Sequence, residues 1–389
     1  MIKPKILAFT AFYLPGYKGG GPIKTIKNLI DQTGTEISFT LITGNRDLGE
    51  ILPYKGVDLD NLNTVGHAFV FYSQSGLLGY KQIAKIIWER KYDSVYLNSF
   101  FSPRFSIFPL LIAKLIRQQV IIGPRGEFSE GALNLKSFKK RLFTYVYKIF
   151  RLHKGTVFQA SSEYEASDIR RVLGVDVDIF IAEDIGAQEY AKELSLRSTE
   201  VIKAVFISRI SPKKNLLSAL EMLKSVKYPI LYHIYGPIED HVYWKKCESV
   251  IEQLPSHIHV EHKGELMPDV VVSTLSDYDF FFMPTKGENY GHVIAEALCA
   301  GLPLLIADTT PWRNLKAQGI GWDLSLGEPN QFSKVIDELA TIPAEEHLRM
   351  RRKVLSWAKE KFTQRDAIED NLNMFRYAYR KKEKTNVQR

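Results

Sequence analysis

The chain has 389 residues, 45% of them hydrophobic and 25% charged, and its 52 Lys and Arg against 44 Asp and Glu leave a net charge of +8 with histidine neutral. At ~100–200 residues per domain the length predicts two domains with a core each, while the positive balance leaves nucleic acid, a membrane surface or a phosphate-bearing substrate open as partners. Two cysteines, Cys247 and Cys299, are too few for a disulfide framework or a four-thiolate zinc site; no apolar run reaches the ~18 residues of a membrane span, and no leader is evident, so the expectation is a cytoplasmic protein.

In chain order, short apolar runs rich in β-branched and aromatic residues predict strands over 5–10, 37–44, 67–72, 94–100, 120–123, 156–161 and 178–182, then over 203–209, 230–236, 257–261, 279–284 and 303–308. Several are apolar throughout, as parallel strands covered on both faces require. Between them run segments of helical spacing, such as Leu216, Leu217, Leu220, Leu223 and Val226. Strand–helix alternation of this kind builds right-handed βαβ units and a doubly wound α/β sheet. The polar stretch 183–200 interrupts the rhythm and marks a boundary. The expected division is a first Rossmann-like domain over 1–190, a second over 200–360, and a closing helix over 361–389 that either caps the second domain or crosses back to the first, with a frayed basic end. A cleft between two such domains is a natural ligand site.

Several chemistries are excluded by what is missing. No glycine-rich phosphate loop ending in Gly-Lys-Ser/Thr occurs, and no dinucleotide fingerprint follows the first strand. A nucleophile elbow is also absent. His257, His259 and His262 lie close together without the carboxylate or thiolate spacing of a metal site. Asp277 and Asp279 lead directly into a strand. Nothing calls for a metal.

The most informative stretch is PTKGENYGHVIAEALCAGLP, residues 284–303. A strand ends at Pro284, a loop carrying Glu288, Asn289, Tyr290 and Gly291 follows, and a helix is predicted from His292 to about Ala300. Amides at such a loop and helix start, with the helix dipole, suit a diphosphate. Glu288 and Glu296 stand where carboxylates can accept hydrogen bonds from sugar or ribose hydroxyls; two solvated glutamates on a surface helix would look the same. A second stretch, FISRISPKKN at 206–215, offers Arg209 and Lys214 just after a strand. Guanidinium and ammonium groups both suit pyrophosphate oxygens.

Together these segments resemble the motifs of glycosyltransferase family 4, the retaining nucleotide-sugar transferases of GT-B fold used in bacterial polysaccharide assembly. The match runs through Pro284, Glu288, Gly291, Glu296, Ala297, Ala300, Gly301 and Pro303, with Asn289 and Tyr290 in place of the usual Gly-Phe. Arg209 and Lys214 keep their spacing, while Ser208 and Asn215 replace two glycines. Gly236, after the next strand, and Gly264, after the one following, fall in order as loops near the nucleotide. The resemblance is specific over roughly 200–310 and otherwise one of rhythm.

On that resemblance Glu288, Arg209 and Lys214 are the catalytic set. Glu296, Asn289, Tyr290, Gly291, His292, Gly236 and Gly264 bind the donor. In the first domain Gly19, Gly20 and Gly21 form the loop at the donor–acceptor junction, and Arg125 in a Pro-Arg-Gly segment is a candidate for phosphate or acceptor contact. Asn98 stands in a loop where many relatives carry a histidine. The implied activity is metal-independent, retaining transfer of a hexose from a UDP- or GDP-sugar to a glycan or lipid-linked oligosaccharide. The leaving phosphate itself accepts the acceptor proton, which explains the lack of an obvious general base.

The stretch KSFKKRLFTYVYKIFRLHK, residues 136–154, has the basic and aromatic composition of a helix lying on an anionic membrane. A core helix with a solvated charged face fits equally. Peripheral association with the inner face of the plasma membrane is the corresponding expectation. A nucleotide-sugar epimerase or a sugar phosphorylase on the same fold is the rival enzyme reading. A basic nucleic-acid-binding protein is the remote one, disfavoured because the aromatics are spread through strands and no recognition motif is present.

Overall fold

The computed structural model describes residues 3–89, 91–134, 137–186, 188–197 and 200–387. The chain divides into two units, Met1–Ile185 with Arg365–Arg389, and Gly186–Gln364.

The first unit holds strands β1 (Lys5–Phe9), β2 (Ser38–Gly44), β3 (Asn63–Val65), β4 (Ala68–Ser73), β5 (Ser94–Leu97), β6 (Gln119–Ile122), β7 (Thr156–Ala160) and β8 (Asp178–Ile181). They form one sheet in the order β3-β4-β2-β1-β5-β6-β7-β8. Every pairing is parallel except the edge pair β3–β4. The period-two geometry of a strand explains why β1 reads as unbroken apolar sequence. Ile6 and Ala8 enter the core on one face of the sheet, and Leu7 and Phe9 enter the core on the other. The helix Asp366–Val387 covers the first of these faces, with Phe375 edge-on to Phe39 at 5.8 Å and to Tyr96 at 5.3 Å between ring centroids.

The second unit is a six-stranded, wholly parallel sheet of β9 (Ile202–Ile207), β10 (Ile230–Tyr235), β11 (Ile258–His262), β12 (Phe280–Met283), β13 (Leu304–Ala307) and β14 (Gly321–Leu324). Its order is β11-β10-β9-β12-β13-β14. Chain direction across the sheet therefore reverses between β9 and β12, as it does between β1 and β5 in the first unit. At such a reversal the loops leaving neighbouring strands diverge to opposite faces and open a crevice at the carboxyl ends.

Two strands escape the sequence pattern. β3 is three residues, Asn-Thr-Val, antiparallel on an edge; β14 pairs on one side only and carries a glycine and an aspartate. Neither is buried on both faces, so neither reads as a continuous apolar run. The basic stretch at 136–154 contains the helix Ser137–Ile149 and then turns, with Arg151 in the left-handed region at φ 51°. Lys136 lies outside the described residues.

Candidate functional site

The second unit gathers its motif residues at the β9/β12 reversal. After β9 the loop runs through Arg209 to Asn215, which sits in the left-handed region at φ 61° and starts the helix Leu216–Leu223. Asparagine tolerates that conformation better than other side-chain-bearing residues, which accounts for its presence where the family motif has glycine. It also does what glycine cannot: Asn215 Nδ2 donates to the Pro284 carbonyl at the end of β12, 2.8 Å away. The Lys286 amide donates to the Lys213 carbonyl at 2.9 Å, and Thr285 Oγ1 donates to the same oxygen at 3.3 Å. Three hydrogen bonds thus stitch the two loops across the crevice.

The stitching brings Lys214 Nζ and Glu288 Oε1 into an ion pair, with the side chains only 15% and 11% exposed. Thr285 Oγ1 lies 3.4 Å from the same carboxylate oxygen. A cation for phosphate oxygens and a carboxylate for hydroxyls therefore stand side by side, held by the backbone of two different loops. Arg209 is more exposed and its Nη1 donates to Glu239 Oε1 at 2.7 Å.

Gly291 follows at φ 82° and opens the helix His292–Cys299. The first N–H groups of a helix have no acceptor within it, and the dipole adds positive potential there. Asn289 Nδ2 is buried beside this turn with no hydrogen-bond partner among the described residues. Glu296 lies one turn further in and is buried. In the same helix the Cys299 thiol is pushed up to about 12, by burial first and then by the carboxylates of Glu296 and Glu189. Tyr290 and His292 are buried packing groups. Their rings lie 4.9 Å apart, and Trp312, with its ring 5.5 Å from Tyr290, donates Nε1–H to the Tyr290 carbonyl at 2.5 Å.

The loops after β10 and β11 complete this end of the sheet. The Gly236 amide donates to the Gly264 carbonyl at 2.8 Å, and the Gly236 carbonyl lies 2.9 Å from His262 Nε2. Gly236 adopts φ 131°, and a β-carbon there would meet the Ser208 carbonyl oxygen at 2.0 Å. Close approach of the β9 and β10 loops is what demands glycine. Gly264, at φ 78°, borders open space.

In the first unit, Gly19, Gly20 and Gly21 follow β1. Gly20, at φ 68°, precedes the helix Gly21–Thr33, and the loop is anchored by the Tyr17 and Lys18 amides donating to Asp47 Oδ2 at 2.8 and 3.1 Å. Arg125, the expected phosphate or acceptor contact, is buried instead. Its guanidinium pairs with Asp184, donates to Tyr96 Oη, and reaches Asn98 Oδ1 at 3.0 Å and Gln159 Oε1 at 3.1 Å. Burial alone would lower its pKa, but Asp184, Tyr96 and Glu165 hold it above the ordinary arginine value. Asn98 is buried in the same cluster and donates from Nδ2 to the Phe9 carbonyl at 3.3 Å. Both groups knit together the ends of β1, β5, β6 and β8.

The structure thus collects Arg209, Lys214, Gly236, Gly264, Glu288, Asn289, Tyr290, Gly291, His292 and Glu296 at the carboxyl ends of one sheet. Sequence reasoning missed Glu239, Thr285 and Trp312. Only Asn215 carried a readable signal, as asparagine in a glycine's place.

Residues 188–357 match the family model of Glycosyl transferases group 1. No curated protein matches the chain. Solved structures do. Anabaena Alr3699/HepE in complex with UDP and glucose is 14% identical with a TM-score of 0.68, over 95% of this chain and 98% of that one. The sucrose-phosphate synthase of Thermosynechococcus elongatus is 13% identical with a TM-score of 0.70, over 97% and 98%. WaaG, a glycosyltransferase involved in lipopolysaccharide biosynthesis, is 12% identical with a TM-score of 0.66, over 94% and 98%. The fold is GT-B, two Rossmann-like α/β domains, and the match to the group 1 glycosyl transferase model lies within the second unit.

Proposed function

We propose, from a second unit of group 1 glycosyl transferase type, that this protein is a retaining glycosyltransferase. In this reading it moves a hexose from a UDP- or GDP-sugar, without a metal, to a hydroxyl of a growing lipid-linked glycan in bacterial surface-polysaccharide assembly, at the inner face of the membrane. The observation that carries the reading is the Lys214–Glu288 pair, set by loop-to-loop hydrogen bonds at the sheet's reversal point. The complex of HepE with UDP and glucose favours a uridine donor, and WaaG favours a surface glycan.

The chemistry follows from charge. As the anomeric C–O bond to the diphosphate breaks, negative charge grows on the leaving oxygen. Lys214, Arg209 and the amides at the start of the helix His292–Cys299 stabilise that charge more than they stabilise the intact donor, which is what lowers a barrier. Glu288 accepts hydrogen bonds from the donor-sugar hydroxyls and Glu296 from the ribose. The acceptor hydroxyl attacks the anomeric carbon on the face the diphosphate leaves, and its proton passes to the departing phosphate oxygen. Configuration is retained and no protein base is needed.

Calorimetric titration with UDP and with GDP, in metal-free buffer, tests the donor site. The expected result is micromolar binding of one nucleotide, weakened at least about tenfold, some 1.4 kcal/mol, in Arg209→Ala and in Lys214→Ala. Arg209 is exposed enough that its variant keeps the fold. Failure of the unaltered chain to bind either nucleotide would overturn the reading.

A further inference from the structure

The helix Ser137–Ile149 uses one stripe on the core and leaves a second apolar stripe in solvent. Its inward side chains are Lys140, Phe143, Thr144 and Tyr147, at helical spacing. Tyr147 and Phe143 pack on Phe100 at 4.8 and 5.4 Å between ring centroids, and the Lys140 ammonium stands 5.1 Å from the Phe101 ring. Phe138, Leu142, Tyr145 and Ile149 are 78%, 53%, 64% and 57% exposed. At about 100° per residue these four fall within about 60° of one another, roughly opposite the core stripe. Lys139 lies on one flank of that outer stripe, and Arg141 and Lys148 lie on the other.

Large exposed apolar side chains are otherwise unevenly shared. Of the 24 among the described residues, 19 belong to the first unit and six fall within 138–150. A soluble surface scatters such groups singly; a contiguous stripe marks an interaction site. Beside it opens a cavity of about 900 Å³, lined by apolar Leu133, Ile149 and Val172 and by the cations Arg141, Lys148 and Arg171. Glu130 is the one carboxylate among its lining residues. Lys148 donates to the Val172 carbonyl at 3.3 Å, and Arg171 is paired with Asp168 at 2.6 Å. No carboxylate among the described residues pairs with Lys139, Arg141 or Lys148. The cationic character extends past the helix, where burial and then Lys154, Lys114 and Arg151 hold the His153 imidazole below its usual pKa.

We propose that the outer face of the helix Ser137–Ile149 is a membrane-docking surface for anionic phospholipid, with Phe138, Leu142, Tyr145 and Ile149 entering the interface and Arg141 and Lys148 taking lipid phosphate at the mouth of the adjoining cavity. An apolar ridge flanked by long cations is the arrangement an interfacial helix needs. The ridge reaches the acyl boundary while the aliphatic stems of Lys and Arg let their charges stay among the headgroups. Each such cation near an anionic leaflet adds about 1 kcal/mol of attraction, and the buried stripe keeps the helix fixed to its own core meanwhile. The inference deepens the proposed function by giving a lipid-linked acceptor a surface to arrive on, and its physics needs no sugar transfer.

Flotation of the full chain with phosphatidylcholine vesicles, and with vesicles that also contain phosphatidylglycerol, provides the test. Binding is expected to the anionic vesicles only, and to fall sharply near 1 M salt, where screening shortens to about 3 Å. Arg141→Glu with Lys148→Glu, and separately Leu142→Ser with Ile149→Ser, should each weaken it at least about tenfold. All four side chains are outward-facing, so circular dichroism and UDP binding, run on the same samples, should be unchanged. Equal binding by the variants, absent binding to anionic vesicles, or a self-association that Leu142→Ser with Ile149→Ser abolishes would each overturn the docking surface. Failure of the unaltered chain to bind either UDP or GDP would instead strike the transferase reading.

Discussion

Gly236 and Asn215 show how single backbone positions set the candidate site. A β-carbon at Gly236 would lie 2.0 Å from the Ser208 carbonyl oxygen, so Gly236→Ala must push two loops apart. We expect it to lower stability by at least about 2 kcal/mol in denaturant unfolding, and nucleotide affinity with it. At Asn215, glycine keeps the left-handed conformation and loses two side-chain hydrogen bonds, the one to the Pro284 carbonyl and the one Oδ1 accepts from Ser218 Oγ, about 1 kcal/mol each. Valine loses the same two bonds and adds about 1–2 kcal/mol of backbone strain. The midpoints should therefore order as unaltered chain, Asn215→Gly, Asn215→Val; a valine variant as stable as the glycine one would contradict this account. Residue identity alone could suggest Lys214 and Glu288, because ammonium and carboxylate groups after strands are readable in a sequence. Their pairing was not readable, since it depends on which strands are neighbours across the reversal. Arg125 shows the opposite limit: an arginine after a strand looks available until its burial is known.

Strand and helix placement followed burial. β1, β6 and β13 are covered on both faces and read as unbroken apolar runs, whereas β3 and β14, at sheet edges, do not. The ends of β5, β6 and β8 are held together by Arg125, whose guanidinium reaches Asp184, Tyr96 and Asn98 together with Gln159 of β7. Removing one partner from a buried pair costs about 3–5 kcal/mol, because the other charge stays in low dielectric. Arg125→Met should accordingly lower the unfolding free energy by that order, measured in urea, while the exposed Arg209→Ala changes it by less than about 1 kcal/mol. A loss under 1 kcal/mol for Arg125→Met would show that the pair does not clamp these strands. The helix Ser137–Ile149 carried two apolar stripes in its sequence, and only packing on Phe100 decides which faces inward.

On the scale of the whole molecule the positive balance has a stability consequence at Lys114. Burial, and Lys381 after it, push its ammonium down to about 8, against about 10.4 in an unfolded chain. Between those values the unfolded state holds a proton that the folded state lacks, so this group's contribution to stability rises with pH. The advantage of Lys114→Met over the unaltered chain in thermal unfolding should therefore shrink from pH 8 to pH 10; a constant difference would contradict it. The helix Asp366–Val387 carries a further consequence. Its Asn371 donates to the Glu183 carbonyl at 2.8 Å, and its Phe375 lies on the face of the sheet that holds Ile6, yet the ribosome makes it after all of Gly186–Gln364. The second unit is one uninterrupted stretch and can close as it emerges. The first must wait, its central strands translated early and one apolar face uncovered, until the segment made after its neighbour arrives. During synthesis the amino-terminal half thus keeps one apolar face uncovered until its last segment arrives, and the order of completion runs opposite to the order of translation.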